Sequence, residues 1–223
     1  MNKQRATNTE EKQARRQRIL ESAAQIFQQT SFNEVTMAAV AAQCKLAKGT
    51  LFLYFSTKEE LFLALVEEQL REWFDKVDVQ LDALEDRSIP AVAALFAGSL
   101  IDRPTLTRLL AIHATILEQN VSYASIAQFK RFILLRLAAT GARLEKALPF
   151  LQAGQGAHLL LQCQALVVGL WHLSDPSAMA AKVIQQEGLS AFDLNFNHEF
   201  QAMLTSLLYG LKDQANLNKG HHL

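Results

Sequence analysis

Lys48, Thr50 and Tyr54 stand close together around Gly49, and the chemistry open to them is the binding of a polyanion. An ammonium and two hydroxyls can donate to phosphate oxygens and to base edges, and bonds from a charged donor are the stronger kind. The apolar positions among them, Val40, Ala41, Leu46, Leu51 and Phe55, would lock two short helices together, with Ala41 small where the helices must cross. Residues 36–54 therefore read as two short helices joined by a tight turn. Thr36 is a good N-cap for the first, whose inner face carries Met37, Val40, Ala41 and Cys44. The second, Lys48–Phe55, is short enough to lie in a major groove about 12 Å wide while the first props it from behind. No constellation for catalysis accompanies it. The sequence has no GxSxG, P-loop, HExxH or dinucleotide glycine fingerprint. His113 and Glu118, five residues apart, pair poorly along a helix as metal ligands or as an acid and base. An enzyme is not expected, and no cofactor or metal.

The elements around this pair are helical. Of 223 residues half are hydrophobic, while Pro and Gly number only 4 and 9. That composition points to an all-α fold. Residues 1–9 are polar and aperiodic, which suggests a loose arm. From Glu10 a helical stripe of Ile19, Ala23, Ile26 and Phe27 runs to about Gln29. Thr57 and Glu60 make a capping box for a long fourth helix, which carries Leu61, Leu65, Leu70, Trp73, Phe74, Val77 and Leu81. Further helices are expected at roughly 90–100, 104–119, 123–147, 155–174 and 193–213, with a short piece near 177–187. The architecture expected is a three-helix N-terminal helix-turn-helix domain, residues 1–58, and a larger C-terminal helical bundle, residues 59–223, with helix four as a shared strut. Charge follows the same division. Residues 1–58 hold 9 Lys or Arg against 4 Asp or Glu, and residues 59–223 hold 13 against 18. A basic head on an acidic body fits a head that alone meets a polyanion, although chance clustering on solvated helices gives the same count.

The run from Thr36 to Leu65 resembles the N-terminal domain of the TetR family of transcriptional regulators. The matching residues are Val40-Ala41, then Lys48-Gly49-Thr50-Leu51-Phe52-Leu53-Tyr54-Phe55, then Lys58-Glu59-Glu60-Leu61, with the family's spacing kept throughout. The basic first helix extends the resemblance to about residues 10–65. The resemblance implies a double-stranded DNA operator as partner, most often for repression, and roles for matching positions. Thr36 caps helix two and can bond a phosphate. Lys48 contacts phosphate or a base edge, Gly49 lets the backbone approach, and Thr50 reaches base or phosphate. Tyr54 and Lys58 bind phosphates, and Lys58 couples helix-four tilt to DNA release. Three positions depart from the pattern. Lys45 replaces the turn Gly, where its charge could touch phosphate, and Ala47 replaces the Ser cap. Phe52 replaces the commonest Tyr and could press on a thymine methyl. Leu53 also stands where a polar contact is frequent, so the head offers fewer hydrogen-bond donors. Phe52, Leu53 and Phe55 have an alternative reading as core, and Arg15, Arg16 and Arg18 are either phosphate ligands or a solvated face.

The resemblance also implies a small, apolar effector bound among helices four to seven. Candidate lining residues are Phe62, Trp73, Phe96, His113, Leu117, Phe129, Phe132 and Trp171. Each has a plain core reading beside the pocket reading, and His113 serves equally as a polar anchor or as a core histidine. The last two long helices carry wide apolar stripes. These are Leu159, Leu160, Cys163, Leu166, Val167 and Leu170 on one, and Phe196, Phe200, Met203, Leu204, Leu207, Leu208 and Leu211 on the other. They suggest a homodimer through a four-helix interface, or else completion of the monomer core. A TetR-shaped adaptor that binds a protein partner and senses no ligand is the alternative function. Cys44 and Cys163 lack a CxxC or His partner and read as small buried hydrophobes in a reducing compartment. No apolar run approaches the roughly 18 residues of a membrane span, so no membrane partner and a cytoplasmic location are expected.

Overall fold

The computed structural model describes residues 2–113 and 118–220. Among the described residues no strand forms, and ten α-helices follow one another. They are α1 (Asn2–Gln29), α2 (Met37–Gln43), α3 (Lys48–Phe52), α4 (Lys58–Asp82), α5 (Ile89–Ile101), α6 (Pro104–Ile112), α7 (Tyr123–Ala147), α8 (Gln155–Ser174), α9 (Ala178–Gln186) and α10 (Phe196–Gly220), with a single 3₁₀ turn at Ser190–Phe192. The all-α expectation holds, and α7 and α8 keep the bounds that the punctuation assigns. Two ends differ. α1 begins at Asn2, not near Glu10, and α10 runs beyond residue 213 to Gly220. Both extensions lack an apolar stripe, yet neither has an interior Pro or Gly, and their Lys, Gln, Arg, Ala and Leu residues continue a helix readily.

Local chemistry starts several of these helices. The Ser88 hydroxyl accepts from Ala91 N at 3.3 Å, with Pro90 in the first turn of α5. Ser177 does the same for α9 through Ala180 N at 3.3 Å. α8 starts instead from Gly154 at φ 86°, and Glu145 Oε1 accepts from the amides of Gly154 and Gly156 at 2.8 and 2.9 Å.

The chain divides into two units, Met1–Gln69 with Ile112–Phe129, and Leu70–Ala111 with Lys130–Leu223. The first has its core in Ile19, Leu20, Val40, Leu51, Leu61 and Phe62. Phe62 meets Phe27 and Phe32 edge-on, at centroid distances of 5.3 and 5.0 Å. In the second unit α10 packs on α5 and α8, and the buried residues of the unit include Phe96, Leu106, Leu109, Leu144, Phe200, Leu204 and Leu208. α7 and α8 cross at Gly141 and Gly156, where a Cβ on Gly156 would lie 2.1 Å from the Gly141 carbonyl oxygen. Asp78 of α4 accepts from Thr140 at 2.6 Å and from Arg136 at 3.2 Å on α7.

The apolar stripes expected at a dimer interface are largely consumed here. Leu159, Leu160, Cys163, Val167 and Leu170 of α8, and Phe200, Leu204 and Leu208 of α10, are buried inside the single chain. Among the residues α8 leaves exposed are Leu161, Ala165, Gly169 and Leu173, beside Gln155, His158 and His172, and α10 leaves Met203, Ser206, Gly210 and Leu217 exposed beside Gln201, Tyr209, Lys212 and Asp213. α8 also corrects the expectation about membrane-length runs. Its 20 residues, with a mean hydropathy of 1.2 over an 18-residue window, are long and apolar enough to cross a membrane by length and composition. The same helix supplies five buried apolar side chains to the core of its unit.

Candidate nucleic-acid interface

The helix-turn-helix is built by local bonds. Thr36 Oγ1 accepts from Ala39 N at 3.1 Å and starts α2. α2 ends with two crossed bonds, Lys45 N to Ala42 O at 3.0 Å and Leu46 N to Ala41 O at 2.9 Å. This pattern is a Schellman motif, which places the residue after the cap in the left-handed region. That residue is Lys45, at φ 55°, the one non-glycine with positive φ among the described residues. The turn thus requires the conformation a glycine adopts freely, and a Lys there costs about 1 kcal/mol or somewhat more. Ala47 precedes α3 and makes no side-chain cap bond, forgoing roughly 0.5–2 kcal/mol.

α3 buries Leu51 and, just beyond it, Phe55, which is 4% exposed, so Phe55 belongs to the core. Its other side is open. Lys45, Ala47, Lys48, Gly49, Phe52 and Leu53 are exposed, and Thr50 and Tyr54 are half-buried. Phe52 is 42% exposed and Leu53 is 82% exposed. The Lys48 ammonium lies 5.9 Å from the centroid of the Phe52 ring. Gln43 donates to Gln25 at 3.0 Å, tying α2 to α1. Of the α1 arginines, Arg16 and Arg18 are exposed, and the Arg16 guanidinium stands 5.3 Å from the Phe55 ring centroid. Tyr54 lines a cleft of about 150 Å³ with Arg16, Glu60 and Ser125.

Lys58 stands apart from this exposed group. Its ammonium donates to Phe32 O at 2.8 Å and to Val35 O at 3.0 Å, over the Phe32 ring at 4.1 Å. The expectation of a phosphate contact for Lys58 thus meets an ammonium already bound to two carbonyls of the loop that leads into α2. The capping box at α4 is half formed. Glu60 N donates to Thr57 Oγ1 at 3.0 Å, but the Glu60 carboxylate takes Ser56, from both its amide and its hydroxyl. Its other oxygen accepts from the Ser122 amide and the Ser125 hydroxyl, both at 3.3 Å. These bonds, led by that from the Ser56 hydroxyl, hold the Glu60 carboxyl below its ordinary range. Thr57 also donates to Asn120 O at 2.9 Å. Sequence reasoning did not anticipate this tie. Its partners lie more than 60 positions apart and share no periodic signal.

The candidates for effector binding fall in both units. In the first, Phe62 sits in the aromatic core, and His113 faces Phe129 at a centroid distance of 5.0 Å. His113 Nε2 also approaches Glu118 Oε1 at 3.1 Å, so the two side chains meet although their spacing of five suits an α-helix poorly. In the second unit Trp73 donates to Ser99 Oγ at 2.9 Å and meets Phe96 at 6.1 Å. Phe132 lies under the Arg71 guanidinium at 4.5 Å, and Trp171 meets Phe196 at 6.3 Å. Leu117 lies outside the described residues.

Two short helices around a tight turn, the second with one buried and one open side, define a helix-turn-helix DNA-binding protein. Residues 19–65 match the family model "Bacterial regulatory proteins, tetR family", and residues 67–215 match "Tetracyclin repressor-like, C-terminal domain". The chain belongs to the TetR family and is a helix-turn-helix transcriptional regulator, not an enzyme. It is 36% identical over 69 residues to the HTH-type transcriptional regulator YfiR of Bacillus subtilis (strain 168), a match covering 31% of this chain and 34% of that one. The chain spans about a third or less of the length of the curated relatives it matches first. In fold it is similar to a TetR-family transcriptional regulator from Syntrophomonas wolfei, with a TM-score of 0.57 and 17% identity, covering 90% of this chain and 96% of that one. It is also similar to the fatty acid degradation regulator FadR from Bacillus halodurans, with a TM-score of 0.56 and 13% identity, covering 86% and 93%.

Proposed function

We propose that this regulator acts as a homodimeric repressor that grips a palindromic operator with two copies of α3 and is released by a small lipophilic effector. The observation that carries the DNA-reading part is the open side of the α2–α3 pair, backed by buried Leu51 and Phe55. In this reading Lys48 donates to phosphate or a base edge, while Thr36, Lys45 and Tyr54 meet phosphates. Thr50 reaches base or phosphate, Phe52 meets a base edge, and Gly49 admits the backbone close to DNA. Lys58 works from behind, binding the loop ahead of α2 from the first turn of α4, so that a tilt of α4 would move the reading pair. Residues 1–58 form the DNA-binding part by role, and residues 59–223 bind effector and partner subunit.

The dimer reading is supported by the faces of α8 and α10 that the chain leaves open. Each carries a stripe of small or apolar residues, Leu161, Ala165, Gly169 and Leu173 on α8 and Met203, Ser206 and Gly210 on α10, flanked by polar residues, and such stripes suit close packing of helices about a two-fold axis. Two heads on such an axis read half-sites about one helical turn apart. The effector reading draws on the buried aromatic candidates of both units and on the likeness in fold to a regulator named for fatty acid degradation. A regulator of this kind works in the bacterial cytoplasm, where the DNA is. The test begins with selection of duplexes from a random pool. An inverted repeat bound by two chains, and released by fatty acids of suitable length, is the expected result. Enrichment of no sequence, or binding by one chain per duplex, overturns the reading.

A further inference from the structure

We infer that α3 selects its operator through thymine methyl groups, with Phe52 and Leu53 as the side chains that set specificity. The inference rests on the DNA-binding reading above and names the feature of the base pairs that is read.

Positions 48, 49, 52 and 53 are spaced to share one side of a helix, and all four are exposed. That side offers one cation, one residue without a side chain, and two large apolar groups. Gly49 is not required by packing inside the chain, since a Cβ built on it meets nothing within 4 Å. Its openness suits close approach from outside. A single exposed leucine is ordinary on a protein surface. Here Leu53 and Phe52 adjoin each other beside Lys48, on the side of α3 opposite the buried Leu51.

Neither Phe52 nor Leu53 can donate or accept a hydrogen bond. Pressed against base nitrogens and oxygens, they would strip water and return nothing. The major groove presents one apolar feature, the C5-methyl of thymine. An apolar side chain gains more free energy against that methyl than against the polar base edges. The Lys48 ammonium beside the Phe52 ring can meet a phosphate or the acceptors of a guanine while the ring and Leu53 meet methyls. Ala47 and Phe52 carry no side-chain hydrogen-bonding group, so the hydrogen-bonding route to specificity is thin beside the apolar one.

The test uses the full-length protein and an operator selected from a random duplex pool. Each thymine of a half-site is replaced singly by deoxyuridine, which removes the methyl and leaves every hydrogen-bonding atom in place. Fluorescence anisotropy should show about fourfold weaker binding at one or two of these positions, the factor expected for exposing one methyl-sized group. The F52A and L53A variants, whose exposed sites leave the core untouched, should retain wild-type helicity by circular dichroism. They should bind the thymine and uracil operators within twofold of each other at the sensitive positions. Wild-type protein indifferent to every uracil replacement would overturn the inference, as would a full uracil penalty retained by the F52A L53A double variant. If wild-type protein enriches no operator at all, the DNA-binding reading fails with it, and that outcome is distinct from loss of methyl discrimination alone.

Discussion

Gly156→Ala should weaken the fold although it replaces a helix breaker with the best helix former. A Cβ at Gly156 would lie 2.1 Å from the Gly141 oxygen, 2.7 Å from its carbonyl carbon and 2.8 Å from its Cα. All three are backbone atoms, so no side chain can swing aside. The shortest approach is about 1.3 Å inside the 3.4 Å at which ordinary van der Waals contact begins. α8 would have to back away from α7, opening the crossing and stretching the bond from Gly156 N to Glu145. Overpacking of a rigid site costs typically 1–3 kcal/mol and sometimes more. The helix-propensity gain from Gly to Ala returns at most about 1 kcal/mol. The expected net is a loss of about 1–3 kcal/mol. Gly98→Ala is the control, since a Cβ there meets nothing within 4 Å. It should stabilise by about 0.4–1 kcal/mol. Urea unfolding at one fixed protein concentration reads both, and opposite signs are predicted. A G156A protein as stable as wild type would refute the claim that α7 and α8 meet backbone to backbone.

Lys45→Gly should stabilise the helix-turn-helix by about 1 kcal/mol, because the turn holds φ at 55°; thermal melts of the variant and wild type decide it. Ala47→Ser should add about 1 kcal/mol by supplying the missing cap of α3, measured by the same melts. Glu60 titrates below its ordinary value of 4.5 in the folded chain. The folded state therefore binds fewer protons there than the unfolded state, so its contribution to stability is present above about pH 4.5 and is lost as pH falls through the lowered value. Glu60→Gln should flatten the acid limb of the stability profile. Burial pushes the Cys163 thiol up to about 12, so at pH 8 a thiol reagent should label the half-buried Cys44 first and reach Cys163 only on unfolding.

The helix-turn-helix was legible because its signals are local. A capping threonine, a buried face at helical spacing and a four-residue link depend on near neighbours, and the strain at Lys45 was foreshadowed by the family resemblance, whose pattern has a Gly at that turn position. The all-α class and the bounds of α7 and α8 were legible for the same reason. What the sequence hid was tertiary. An apolar stripe reads alike whether it meets another helix of its own chain or a second subunit, and Leu159, Leu160, Leu204 and Leu208 meet their own chain. A lysine at a helix start reads as a phosphate ligand until its neighbours are known, and Lys58 has the carbonyls of Phe32 and Val35. Glu60 joins Ser56 to Ser122 and Ser125 across a separation with no pattern in the chain. Ends of helices that carry no apolar stripe, such as residues 2–9 of α1, are also invisible to periodicity.

Whether the open side of α3 holds the DNA is decided by the salt dependence of operator binding by Lys48→Ala. Lys48 is exposed, so the variant should fold as wild type does. Binding to the selected operator should weaken. If the contact is to phosphate, the slope of log affinity against log salt also becomes shallower by about 0.9 per half-site. If Lys48→Ala binds the operator with unchanged affinity and unchanged slope, the assignment of α3 as the reading element is wrong.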